Sequence, residues 1–143
     1  MDIIRKSEAH WVGDIKDGSG TIKLGSGVFE GPYSFKARTS IESQDTNPEE
    51  LIGGAHAGCF SMALSAILTK SGHPPTDIFT SAKVHLASEG EGFVISQIDL
   101  ETTASVPGLS EDEFLKYAET AKKTCPVSKA LAAVKIEFKA TLK

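Results

Sequence analysis

Cys59 and Cys125 are the only thiols in a chain of 143 residues, and they stand in unlike contexts. Cys59 falls within a run of small and apolar residues, Gly53-Gly54-Ala55-His56-Ala57-Gly58-Cys59-Phe60-Ser61-Met62-Ala63-Leu64, whereas Cys125 directly precedes Pro126. Two cysteines, four scattered histidines and no CxxC cannot assemble a zinc finger or ribbon. Two readings stay open. The thiols are inert and buried, as free cysteine often is, or they form a peroxidatic and resolving pair. An unperturbed thiol is only about 3% ionised at neutral pH, and apolar burial lowers that further. The dipole of a helix acts only within its first turn and does not reach Cys59. A reactive Cys59 therefore needs a cation.

The chain has two arginines, Arg5 and Arg38. Arg5 lies in a polar N-terminal stretch, while Arg38 closes a segment rich in aromatic residues just ahead of the loop leading to Cys59. A guanidinium there can hold a thiolate and also donate to a peroxide oxygen or a carboxylate, or it can serve in an ordinary surface ion pair. Glu49 could orient it; otherwise Glu49 is a helix-start acid, as Glu50 is. His56 precedes Cys59 by three residues and faces broadly the same side of a helix. It fits a Cys–His nucleophilic pair, metal ligation with Glu49, or a packed histidine with one satisfied nitrogen. The last is favoured, because no third orienting group and no fourth ligand is evident. Cys125 lies at a helical junction, where free backbone N–H groups favour a thiolate.

Several elements must position these groups. Ala9-His10-Trp11-Val12, Thr21-Ile22-Lys23-Leu24 and Tyr33-Ser34-Phe35-Lys36-Ala37-Arg38 read as strands between glycine turns. Asn47 then suits a helix N-cap, with Pro48 at the first helical position, Glu49 and Glu50 at the positive end of the dipole, and Glu50 placed for a capping box. That helix is predicted to run to Lys70, before Gly72 and Pro74, apolar on nearly every side and hence buried. Its interior glycines together cost about 2–3 kcal/mol relative to alanine, which close approach of another backbone would offset. Alternation predicts strands over 78–86, 93–104 and 134–140. Ser110 with Glu113 marks a further helix start, and Pro126 a short helical turn. The expected fold class is α+β, a single domain over 1–143 with antiparallel sheet wrapped on a long apolar helix.

Composition narrows the function. Hydrophobic residues make up 40% and charged residues 24%, ordinary for a globular chain. The formal net charge of −4 offers no attraction to nucleic acid or anionic membrane, so neither is an expected partner. No contiguous apolar run approaches the roughly 18 residues of a membrane span, and the opening MDIIRKSEAHWV lacks the pattern of a secretory signal. The expected location is cytoplasmic.

Asn47-Pro48-Glu49-Glu50-Leu51, Gly54-Ala55-His56-Ala57-Gly58-Cys59-Phe60-Ser61-Met62-Ala63 and Cys125-Pro126-Val127-Ser128 together resemble the osmotically inducible protein C family, which shares a superfamily with the organic hydroperoxide resistance proteins. The resemblance covers the whole chain, including His10-Trp11, Gly13-Asp14 and Pro32-Tyr33-Ser34-Phe35. It implies a thiol-dependent peroxidase of oxidative and osmotic stress defence, acting on organic hydroperoxides and less well on hydrogen peroxide. Cys59 matches the peroxidatic cysteine, Cys125 the resolving one, and Arg38 and Glu49 the pair that activates the thiolate. Gly54 and Gly58 depart from the alanines expected in the osmotically inducible branch, to which an arginine on the strand assigns the chain. The resemblance implies no flavin, haem or metal, a dithiol reductant such as a lipoyl group, and an intertwined homodimer with sites at its interface. Competing classes are a ligand-binding stress protein with inert thiols and a Cys–His hydrolase.

Spacing bears on the dimer independently. Glu49 and Cys59 are about 15 Å apart along a straight helix, too far to cooperate within one chain. Two such helices packed antiparallel about a two-fold axis near Gly54 would bring Glu49 of one chain level with Cys59 of the other.

Overall fold

The computed structural model describes all residues, Met1–Lys143. It resolves into two compact units, Met1–Leu51 and Ile52–Lys143.

The first unit is an antiparallel meander of β1 (Ser7–Val12), β2 (Ser19–Leu24) and β3 (Glu30–Tyr33), followed by a short helix α1 (Phe35–Thr39). Gly20 lies between Trp11 and Tyr33 across the three strands, and the two rings approach to 5.5 Å between centroids. A Cβ at Gly20 would run into the Tyr33 ring, so only glycine fits. Ile22 is the one apolar side chain of the first 51 residues that is buried. Val12, Val28 and Ile41 are exposed.

The third predicted strand ends early. Ser34 caps a helix instead, its hydroxyl accepting from the Ala37 N–H at 3.1 Å, so Arg38 sits on α1 rather than on a strand. The alternation of Tyr33 and Phe35 mimics a strand pattern, but the local cap wins.

The long helix α2 (Pro48–Lys70) starts where the sequence places it. The Asn47 side chain accepts from the Glu50 N–H at 2.8 Å, and its amide donates to the Ala37 carbonyl at 2.9 Å, tying α1 to the start of α2. Glu50 accepts from the Thr46 hydroxyl at 2.8 Å. At the far end Gly72 adopts φ +87° and turns the chain out.

In the second unit β4 (Asp77–Glu89) and β5 (Gly92–Ser105) form a long hairpin with a bulge at His85/Leu86. Helices α3 (Glu111–Thr124) and α4 (Pro126–Ala130) follow, and β6 (Lys135–Leu142) pairs with β5. That last pair is parallel, which corrects the expectation of purely antiparallel sheets. The α3–α4 segment carries the chain back across the sheet, and a strand entered by such a crossover runs in the same direction as the one it left. The core comprises Phe60, Leu64 and Leu68 of α2, Leu100 and Ala104 of β5, and Phe114, Ala118 and Ala121 of α3. The Phe60 and Phe138 rings lie 5.3 Å apart.

Helix α2 is not buried on nearly every side, as its composition suggests. Gly53, His56, Phe60, Leu64 and Leu68 are buried, whereas Gly54, Ala55, Gly58 and Ala66 are exposed and Met62 is 76% exposed. By length and composition the helix is apolar enough to cross a membrane, although glycine, serine and histidine break up any contiguous apolar run. Its packed face belongs to the core of the second unit.

Candidate functional site

Arg38 and Glu49 meet within the first unit. The Arg38 Nε donates to both carboxylate oxygens at 3.1 Å, and Nη2 donates to Oε1 at 2.6 Å. Glu49 is buried to 7% exposure while Arg38 keeps a third of its side chain open. This forked geometry fixes the plane of the guanidinium and leaves its remaining N–H groups aimed elsewhere. The hydrogen bond to Glu49 raises the Arg38 pKa further above its ordinary value, so the group is permanently charged. The fork depends on the cap at Ser34: only a helical turn there, followed by the Asn47 tie to Ala37, holds α1 against the start of α2.

The thiols meet within the second unit. Cys59 Sγ and Cys125 Sγ lie 2.8 Å apart, both free, with Cys125 fully buried and Cys59 partly open. Cys59 rides the third turn of α2, and Cys125 is the last residue before Pro126 and the N-cap of α4. Two thiols this close share a proton, so the first ionisation of the pair is eased and the second opposed. Burial and the Cys125 thiol push Cys59 up, against a single backbone hydrogen bond from Val127. Burial also works against a charge on Cys125, but hydrogen bonds from Cys59, from the Ser128 backbone and side chain, and from the Val127 backbone outweigh it and draw Cys125 down. The pair thus takes one charge far more readily than two, and burial opposes that charge on either sulfur.

His56 is fully buried, with Nε2 2.8 Å from the Ser128 hydroxyl and Nδ1 without a partner in the protein. Burial lowers its pKa and keeps it neutral. Its partner is a serine, not Cys59 or Glu49, and no group of three or more His, Cys, Asp and Glu side chains is placed to hold a metal ion. Ser128 is the residue that sequence reasoning left without a role. The signal was its position three residues after Cys125, where a side chain at a helix start turns back towards the cap.

The chain matches the family model described as OsmC-like protein over residues 41–139, and it belongs to that family. It is 48% identical over 134 residues to the peroxiredoxin OsmC of Escherichia coli (strain K12), covering 93% of each chain. Among solved structures it resembles an organic hydroperoxide resistance protein from Elizabethkingia anophelis, at 26% identity and a TM-score of 0.72, over 100% of this chain and 99% of that one. An OsmC-like protein from Mycoplasma pneumoniae shares the fold, with a TM-score of 0.78 at 18% identity over 99% of each chain.

Proposed function

We propose that this chain is a cysteine-based peroxidase of peroxide stress defence that reduces organic hydroperoxides, and hydrogen peroxide less well. The observation that carries the reading is the 2.8 Å contact between a partly open and a fully buried thiol. The peroxiredoxin relative supports it. The Cys59 thiolate attacks one peroxide oxygen, the O–O bond breaks, and the departing alkoxide takes a proton and leaves as alcohol. Cys59 becomes a sulfenic acid, and the Cys125 thiol condenses with it to a disulfide with loss of water. A dithiol, of which a lipoyl group is the natural class, returns the pair to thiols by exchange. The two thiols of this chain serve both steps of peroxide reduction, an external dithiol serves the third, and 1–143 acts as one functional domain. A reducing compartment, the cytoplasm, suits two free thiols.

Charge must be moved onto Cys59 for the first step, and Arg38 is the group we assign to move it. The assembly we propose is a two-fold homodimer in which the open face of α2 packs on its own copy near Gly54. Arg38 and Glu49 are held as one forked pair, so they arrive together at the partner's thiols. Two observations support the dimer: the first unit buries a single apolar side chain, too little for independent stability, and α2 exposes Gly54, Gly58 and Met62. The test is peroxide consumption by two variants. Cys59→Ser should consume none, because a serine hydroxyl is not ionised at neutral pH, while Cys125→Ser should complete one reduction and then stall. A first burst kept by Cys59→Ser and lost by Cys125→Ser would reverse the roles.

A further inference from the structure

Resting on that peroxidase reading, we propose that His56 is a positioning residue for the second step: through Ser128 it holds a hydrogen bond on Cys125 and so sets how fast the disulfide closes. The geometry has three parts. His56 Nε2 lies 2.8 Å from Ser128 Oγ, with both side chains buried. Ser128 stands three residues after Cys125, at the third position of α4, where a side chain can reach back to the cap, and its neighbourhood draws the Cys125 pKa down. Cys125 Sγ lies 2.8 Å from the sulfur it must attack.

A serine hydroxyl has a single proton, so it can serve only one acceptor at a time. If His56 carries its proton on Nδ1, the bare Nε2 takes the serine proton, and Cys125 faces only oxygen lone pairs. That arrangement also buries an N–H with no acceptor, since Nδ1 has no partner. If the proton is on Nε2, histidine donates to Ser128 Oγ, and the serine proton is free to point at the Cys125 sulfur. The unpaired Nδ1 is then only a lone pair, the more tolerable orphan. The second arrangement supports a thiolate on Cys125. A neutral ring admits either tautomer, and the unpaired Nδ1 selects the second, so the proposed relay runs from His56 to Ser128 to Cys125.

The step it serves balances within the pair. The Cys125 thiolate attacks the sulfur of the Cys59 sulfenic acid, and the S–S bond forms as the S–O bond breaks. Hydroxide leaves with the electron pair of that bond and takes the proton Cys125 gave up, as water. Cys125 supplies the electron pair of the new S–S bond, so the sulfenic sulfur is reduced and the Cys125 sulfur oxidised to the same disulfide level. The Ser128 proton stays where it is and lowers the cost of the attacking charge.

The experiment mixes reduced protein anaerobically with stoichiometric cumene hydroperoxide, traps the remaining sulfenic acid with dimedone at successive times, and weighs the products. His56→Leu and Ser128→Ala should each slow disulfide closure about tenfold, the size of one lost hydrogen bond to a charged sulfur. Closure in both variants should need a higher pH than in the wild type. His56→Gln, whose amide N–H reaches the place of Nε2, should restore rate and pH profile. The double variant should be no slower than the slower single one, because the two residues act in series. Where His56→Leu fails to fold, Ser128→Ala carries the test, since it removes only the hydroxyl. Closure at the wild-type rate and pH in Ser128→Ala overturns the inference, as does failure of His56→Gln to improve on His56→Leu. Wild-type protein that forms neither adduct nor disulfide overturns the peroxidase reading instead.

Discussion

Gly54→Ala and Gly58→Ala have effects whose sign depends on assembly. Within one protomer nothing lies within 4 Å of a Cβ built at either position. Each substitution in a lone protomer would gain about 1 kcal/mol of helix propensity and raise Tm by roughly 2–4 °C in a chain of this size. If α2 packs on its copy near Gly54, the added methyl groups fill space the partner backbone occupies. Overpacking costs about 1–3 kcal/mol per site, and two-fold symmetry counts each site twice. For Gly54→Ala the association would then weaken by about 2 kcal/mol or more, roughly thirtyfold in Kd. Gly53→Ala is the control: its Cβ meets the Ala82 carbonyl at 3.4 Å and a Val84 methyl at 3.5 Å, both of the same chain, and should leave association unchanged. Sedimentation across a dilution series reads the dimer fraction, and a thermal melt at each concentration reads the stability. Gly54→Ala that melts several degrees higher, with the dimer fraction of the wild type, would refute the packing on which the shared site depends.

The remaining predictions concern the Arg38–Glu49 ion pair and the buried, neutral His56. Arg38→Lys should lower the rate of the first reduction at least tenfold, because an ammonium cannot hold Glu49 through the same fork and still reach a thiolate; thiolate absorbance against pH should show Cys59 ionising later, and an unchanged titration in Arg38→Ala would remove Arg38 from that role. Arg38→Ala should also cost about 2 kcal/mol in urea unfolding, since it leaves the nearly buried Glu49 carboxylate unpaired. The pKa of His56 is lower folded than unfolded, so below about pH 6.5 the unfolded chain binds the extra proton. Stability should therefore be flat above that pH and fall by up to about 1.4 kcal/mol per unit beneath it, until the folded-state pKa is passed. His56→Gln should flatten that part of the profile, and an unaltered acid limb would show that other groups set it.

Helix starts were the most legible feature of the sequence, because caps are local chemistry. Asn47-Pro48 and Ser110 both open helices in the structure, and Gly72 ends α2 at positive φ. The Ser34 cap carries the same kind of signal, but the aromatic alternation around it has a strand period, and the two cues conflict. The direction of β6 depends on where α3 and α4 lead the chain, which no period within Lys135–Leu142 encodes. Cys59, Cys125, Arg38 and Glu49 stood out because their types can do chemistry. Their pairing as sulfur with sulfur and guanidinium with carboxylate spans 66 and 11 residues of sequence separation, which only the fold closes. Ser128 stayed hidden because a serine announces nothing until a buried histidine 72 residues away is seen to touch it.

The most direct test of the central claim is the intact mass of the reduced wild-type protein after anaerobic addition of stoichiometric cumene hydroperoxide. The account predicts a loss of about two mass units, with a peptide map joining Cys59 to Cys125. An unchanged mass would contradict it and leave a binding protein with inert thiols. Turnover of an activated ester, with both thiols still free, would contradict it in favour of a hydrolase.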